Sequence, residues 1–247
     1  MFKAVLVAVS LALVVETKSR FSALDGRIVG GVNATIEEFP YQVSLQYRHS
    51  HFCGGSIIAT NRILTAAHCT NGKPNYVFNV RYGTTLPSQG GTEVDLTEIR
   101  NHPQYNPQTS DYDVCVINLS FHIVESQTAQ IVNLVPVSAL EGGRSAVVTG
   151  WGALQSGGPV PAQLQAVELQ ESNRDLCNTA YLGAITDRMI CFEADGKDAC
   201  GGDSGGPLVS GGVQVGIVSF GLGCAHAGYP GVYSHVANLR EFIEELL

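Results

Sequence analysis

Three short stretches of this chain carry residue types that could act together on a substrate. Gly202-Asp203-Ser204-Gly205-Gly206-Pro207 sets a serine among glycines, which leaves its hydroxyl and the neighbouring N–H groups accessible. A serine hydroxyl is a weak nucleophile at neutral pH and needs a base within hydrogen-bond reach, itself oriented by a third group. Thr65-Ala66-Ala67-His68-Cys69 supplies an imidazole after the apolar pair Ile63-Leu64, and Asp111-Tyr112-Asp113-Val114 supplies a carboxylate at the entry to an apolar run. A histidine or an aspartate alone would carry little weight. His68, Asp113 and Ser204 in this order fill the roles of base, orienting acid and nucleophile.

The elements that must position them read as short strands. Tyr41–Tyr47, Gly55–Ala59, Val114–Leu119, Ser145–Thr149, Pro207–Val209 and Val213–Ser219 are apolar-rich runs. Turn signals at Asn71-Gly72, Gly90-Gly91, Gly142-Gly143, Gly157-Gly158 and Gly211-Gly212 separate them, a spacing that suggests barrels or a sandwich. Val236, Leu239, Phe242, Ile243 and Leu246 recur at helical steps, predicting a C-terminal amphipathic helix. A second short helix is predicted over Asn173–Ala180, and Ser120–Ala139 reads as a crossing between two halves.

Composition narrows the class. At 247 residues, 45% of them hydrophobic, the chain can bury a core and is not globally disordered. A net charge of −8 without a basic run argues against nucleic-acid binding. No apolar run reaches the ~18–20 residues of a membrane span. Lys3 followed by Ala4–Val15, apolar except for Ser10 and ended by Glu16 and Lys18, fits a secretory signal peptide, placed approximately at residues 1–19. Secretion makes disulfides the expectation for most of the seven cysteines. An odd count leaves at least one free thiol or an intermolecular bond, and spacing alone does not assign the pairs.

The motifs together resemble the trypsin-like (chymotrypsin-fold) serine proteases over nearly all of Ile28–Leu247. They are Ile28-Val29-Gly30-Gly31, the His68 and Ser204 motifs, Asp113, Ser219-Phe220-Gly221 and Pro230-Gly231-Val232-Tyr233. The small cysteine set is most similar to invertebrate trypsins. The resemblance implies an all-β fold of two six-stranded antiparallel Greek-key barrels, split near residue 130, with a C-terminal α-helix. It implies that Ser204 attacks the scissile carbonyl, His68 takes and passes on the proton, and Asp113 holds the imidazole. Ser219 matches the serine that bonds the buried aspartate, and the N–H groups of Gly202 and Ser204 match the oxyanion hole.

Asp198 matches the base of the primary specificity pocket, which implies cleavage after cationic side chains, and Arg can meet a carboxylate bidentately. Gly221 and Gly231 match the pocket walls. Ala199 stands where many trypsins have a serine that helps bind a lysine ammonium, so Arg is expected to be preferred over Lys. Phe220 replaces the usual tryptophan, Ser110 a bulkier residue near P2, and Gly201 a longer side chain at the pocket entrance, which together imply broad tolerance beyond P1. Ser219–Gly221 is expected to pair with substrate backbone as an added strand.

The resemblance also implies a zymogen, with residues 20–27 as activation propeptide and 28–247 as peptidase domain. Cleavage after Arg27 would free the Ile28 ammonium to bury itself against Asp203. Arg27 suits the chain's own specificity, and Asp25 nearby would slow self-activation. Cys53–Cys69, Cys177–Cys191 and Cys200–Cys224 match family disulfides, leaving Cys115 as a buried, inert thiol. No cofactor or metal is expected: the loop Gly83–Gly91 lacks acids for calcium, and Pro230 stands where sodium-regulated relatives carry Tyr. His49-x-His51 reads as two histidines on one strand face without a third ligand.

Of two N-glycosylation sequons, Asn33-Ala34-Thr35 falls in an expected surface loop and Asn118-Leu119-Ser120 in a strand. Lys73 and Lys197 are the only lysines after residue 27, which limits self-digestion and suits a digestive enzyme. The expected partners are polypeptide substrates and proteinaceous inhibitors, with no nucleic acid or membrane, and the chain is expected to be an extracellular monomer. The alternative is a secreted, non-catalytic homologue acting as a binding or regulatory module.

Overall fold

A computed structural model describes residues 29–137, 142–155 and 157–247. The expected signal peptide and propeptide, with Asp25, Arg27 and Ile28, lie outside the described residues. The strands are β1 (Val32–Asn33), β2 (Gln42–Tyr47), β3 (Ser50–Ala59), β4 (Arg62–Thr65), β5 (Phe78–Tyr82), β6 (Thr92–Asn101), β7 (Cys115–Leu119), β8 (Asn133–Leu134), β9 (Ser145–Gly150), β10 (Gln165–Glu171), β11 (Met189–Glu193), β12 (Pro207–Ser210), β13 (Val213–Phe220) and β14 (Gly231–His235). Short helices α1 (Ala67–Thr70), α2 (Arg174–Ala180) and α3 (Arg240–Glu244) join them.

Two closed antiparallel barrels result. The first runs β2-β3-β4-β7-β6-β5 and closes on itself. The second runs β9-β10-β11-β14-β13-β12 and returns to β9. β1 adds to β10, and β8 lies parallel against β13. Closure pairs the strand edges that an open sheet would leave to solvent. Alternation drives it: Val43, Leu45, Ile57, Ile63, Phe78, Val80 and Ile117 fill the first barrel, and Val148, Leu169, Phe192, Leu208, Ile217 and Tyr233 fill the second.

Between the barrels the packing turns polar. Thr149 Oγ1 donates to Gln42 Oε1 (2.6 Å) and Ser56 Oγ to Gln214 Oε1 (2.6 Å), all four residues being fully buried. Uncharged groups paired this way cross the seam without the desolvation cost of buried ions.

The short helices act as fasteners. Asn173 caps α2, its Oδ1 accepting from Asp175 N (2.9 Å) and Leu176 N (3.1 Å). The expected C-terminal helix is split into a 3₁₀ turn at Ala237–Leu239 and the short α3. Its apolar residues Val236, Leu239 and Ile243 are buried as their spacing requires. Disulfides join Cys53–Cys69, Cys177–Cys191 and Cys200–Cys224. The chain-entropy model gives roughly 3 kcal/mol for loops of this size. The first ties α1 to β3, the second α2 to β11.

Candidate active site

Asp113 and His68 meet at the seam. Asp113 enters β7 and is 1% exposed. Its Oδ1 accepts from His68 N (2.8 Å), and its Oδ2 accepts from Ser219 Oγ (2.6 Å) and lies 2.7 Å from His68 Nδ1. Ser234 Oγ donates to the Asp113 carbonyl (2.7 Å). A carboxylate only accepts, so the proton of this contact is on His68 Nδ1, and in the neutral ring that leaves the lone pair on Nε2. Ser219 reaches across from the second barrel because β13 bulges there. Val218 pairs with Tyr233 and Phe220 with Val232, which leaves Ser219 as the extra residue. A bulge of this kind re-aims a side chain.

Ser204 sits in the turn that leads into β12. Gly54 N donates to its carbonyl (2.7 Å), and Cys69, next to His68, brings its sulfur to 3.7 Å from the same oxygen. The turn is dense: a Cβ at Gly205, where φ is +77°, would collide with Thr65 Oγ1 and lie 2.8 Å from Gly54 O. Gly202, at φ +105°, lies close on Gly152. Only glycine takes such backbone without strain. Asp203, Gly205 and Gly206 donate their N–H groups inward, to Cys200, Val218 and Asp203. Among the described residues nothing accepts from the N–H of Gly202 or Ser204.

A cavity of about 170 Å³ opens beside Ser204, lined also by Asp198, Ala199, Ser219, Phe220 and Gly221. Asp198 is 6% exposed, and its Oδ2 accepts from Ala225 N (2.9 Å). Burial pushes its carboxyl up to about 6, against the pull of the Ala225 and Ala199 N–H groups. A Cβ at Gly231 would stand 2.8 Å from Asp198 Oδ1, so a side chain there would cover the carboxylate. Phe220 packs edge-on against Tyr181 (5.6 Å) and keeps an aromatic wall. β12 leaves β13 at Ile217, and past Val218 that edge of β13 has no strand partner among the described residues.

Asp203 points the other way and is fully buried. It accepts from Gly152 N (2.7 Å) and Cys200 N (2.9 Å). Burial pushes its carboxyl up to about 7. A Cβ at Gly150 or Gly152 would collide with the carboxylate, so both positions have to be bare. The resemblance pointed to Asp203 itself but not to Gly150 and Gly152, which make room for it. Neither these glycines nor Ser234 and Thr65 stand out in the sequence as site residues.

His49 and His51 do not share a strand face: His49 lies in the β2–β3 turn at φ +65°, exposed and beside Glu93, whereas His51 is in β3. The two-residue turn Arg48-His49 takes His49 out of the alternation. His51 Nδ1 is 2.8 Å from Ser44 Oγ and its Nε2 3.1 Å from Gly202 O, and burial lowers its pKa to about 4. Cys115 is buried and its thiol is pushed up to about 12 by desolvation, which suppresses thiolate chemistry. Cys53, His68 and Cys69 cluster, but both sulfurs are in a disulfide and offer a metal no thiolate. No helix among the described residues is long and apolar enough to cross a membrane.

Comparison with known proteins gives one answer. The trypsin family model matches residues 28–243. The chain is 46% identical to trypsin alpha-4 of Lucilia cuprina, over 98% of this chain and 96% of that one. It is 47% identical to trypsin alpha and 45% identical to trypsin delta of Drosophila melanogaster. Those two alignments each cover 89% of this chain, with 87% and 88% of the relatives.

Proposed function

The chain belongs to the trypsin family and is a serine endopeptidase acting on polypeptides, and from that premise we propose that it cleaves after Arg, and less well after Lys. The observation that carries this reading is the buried Asp198 carboxylate in the cavity that Ser204 also lines. A cation from the substrate would replace the hydration that burial removes and bring the carboxyl back to its ionised form. The free edge of β13 at Ser219–Gly221 suits substrate backbone as an added strand.

In the proposed reaction Ser204 Oγ attacks the scissile carbonyl while His68 Nε2 takes its proton. The imidazolium is stabilised by Asp113, and the developing oxyanion turns to the N–H groups of Gly202 and Ser204. His68 then gives the proton to the leaving amine, and water repeats the sequence on the acyl-enzyme. The Asp203 niche supports activation by cleavage after Arg27. The freed Ile28 ammonium is the cation that a fully buried carboxylate calls for. Residues 1–19 would direct the chain outside the cell, residues 20–27 would be removed on activation, and the enzyme would work as a monomer open to proteinaceous inhibitors.

The test is hydrolysis of matched Arg, Lys, Phe and Ala anilides before and after clipping at Arg27. Activity on Arg that arises only after clipping supports the triad, the pocket and the activation step together. Inactivity on all four, with the new Ile28 terminus verified by sequencing, would leave a non-catalytic binding homologue.

A further inference from the structure

The second barrel grips the Asp113 segment at one place that the reaction does not use. Asp111 accepts from Arg188 through Nε (3.1 Å) and Nη2 (2.6 Å), and from Thr186 Oγ1 (2.8 Å). Arg188 also lies over the ring of Tyr112, 4.7 Å from its centroid, and His102 stacks on that ring at 4.5 Å. The ring of His102 in turn packs at 4.6 Å on Phe242 of α3. One guanidinium therefore engages two successive side chains, one by a charged fork and one by its flat face. Its own backbone is held, because His235 N donates to Arg188 O (2.8 Å).

What is gripped is backbone that needs holding. Ser110 and Tyr112 both have positive φ, +55° and +56°, without being glycine. Such residues persist only where the surroundings over-determine them. Asp113 follows directly, and Val114 N closes a tight turn onto Tyr112 O (2.8 Å) around it. The Asp111–Arg188 pair is only partly exposed, at 17% and 27% of the two side chains. We propose that Arg188 is a positioning residue: it acts through Asp111 and Tyr112 to fix Asp113, on the first barrel, against the barrel that carries Ser204. Ser219 and Ser234 hold Asp113 itself, and Arg188 holds the segment that delivers it.

The inference rests on the proteolytic reading, and its test separates the two. The variants are R188Q, R188K, D111N and D111N/R188Q, each activated and counted by active-site titration. The substrate is benzoyl-Arg p-nitroanilide, which has no P2 side chain to meet Ser110. R188Q and D111N are each expected to lower kcat per titrated site roughly 5- to 30-fold with KM within about twofold, since small misplacements are costly in catalysis. The double variant should be no worse than the worse single one, and R188K should recover part of the loss. Unchanged kcat in R188Q, or losses that multiply in the double variant, would overturn the proposal even if Tm fell. Should R188Q not fold, R188K and D111N are read alone, and the proposal requires a lower kcat in each.

A second readout does not need turnover. The His68 Nδ1 proton, bonded to Asp113 at 2.7 Å, should give a far-downfield ¹H resonance that moves upfield or broadens in R188Q and D111N. An inactive wild type would defeat the proteolytic reading, and the resonance would then decide the positioning role by itself: unmoved, it overturns the role.

Discussion

Asp113 and Asp198 are both buried carboxylates, one bonded to His68 and one lining the cavity beside Ser204, and the protein treats them in opposite ways. Asp113 is satisfied from within, by the N–H and imidazole of His68 and the hydroxyl of Ser219. Among the described residues Asp198 receives only backbone N–H groups, and burial pushes its carboxyl up to about 6. The first is complete within the fold, whereas the second, in the proposed reading, awaits a cation from the substrate. Asp203, pushed up to about 7 in its glycine-lined niche, belongs with the second. In the proposed mechanism the group that acts identically on every substrate is completed inside the fold, and the groups that recognise a cation are left for the incoming partner to complete.

The largest expected effect tests the completed carboxylate. Asp113→Asn keeps the shape but puts an amide donor where His68 Nδ1–H or Ser219 needs an acceptor, which favours the wrong imidazole tautomer. For this catalytic constellation the established loss is about 10⁴-fold in kcat. A drop under about 10²-fold, read on an Arg anilide, would mean that Asp113 does not orient His68. Stability should not improve, since an internally satisfied group loses bonds on the change.

Asp198→Asn should behave in the contrary sense. Removing one partner of a desolvated charge pair costs several kcal/mol in binding, so kcat/KM on Arg substrates should fall roughly 10²- to 10³-fold. The free protein should gain stability. Burial holds the Asp198 carboxyl of the folded chain up at about 6, well above the ordinary 3.8 of an aspartate. Below 3.8 both states are protonated and the group costs nothing. Stability then falls as pH rises from 3.8 to 6, and above 6 the full cost applies, on the order of 2–3 kcal/mol. The variant's Tm should therefore exceed the wild type's by several degrees at pH 8 and match it at pH 3.5, by calorimetry. Equal Tm at pH 8 would erase the contrast between the two carboxylates.

The same ionisation can be read without catalysis. Benzamidine, a cation that turns over nothing, should bind about tenfold more weakly at pH 5 than at pH 7, as Asp198 protonates through about 6. Binding that stays flat to pH 5 would return Asp198 to an ordinary carboxyl. The variant Asp198→Asn should be flat throughout, which separates this titration from that of any neighbouring group.

How much of this could be read in the chain depends on the range of the interaction. Ser204 among its glycines, His68 and Asp113 are local patterns, and the pairing of His68 with Asp113 needed only a family resemblance to be anticipated. Strands such as β10, with Glu168 outward and Leu169 inward, and β6, with Val94 and Leu96 inward among acids, are not legible as apolar runs. Their charged outward positions dilute the apolar signal that marks a buried run. His49 and His51 misled because alternation was carried through a two-residue turn at positive φ. Arg188 and Asp111 are 77 positions apart, and nothing in either neighbourhood points to the other. Burial, which makes Asp198 and Asp203 unlike surface acids, is a property of the closed barrels and has no local signature.

The smallest effect sharpens the comparison at the pocket wall. Ala199 lines the cavity with Asp198 and contributes no polar atom from its side chain. A guanidinium brings a planar fork that can meet the carboxylate with two parallel bonds, so Arg needs little further help. An ammonium is a point charge with three donors, and a carboxylate alone leaves some of them unpaired in a desolvated pocket. Ala199→Ser supplies one acceptor that Lys can use and Arg does not need. One added hydrogen bond of ordinary strength should raise the Lys-to-Arg ratio of kcat/KM roughly 3- to 10-fold, mainly by improving Lys. An unchanged ratio would place the discrimination in Asp198 itself. A gain on both substrates alike would mean that the serine changed the wall's position rather than completing the recognition that Asp198 begins.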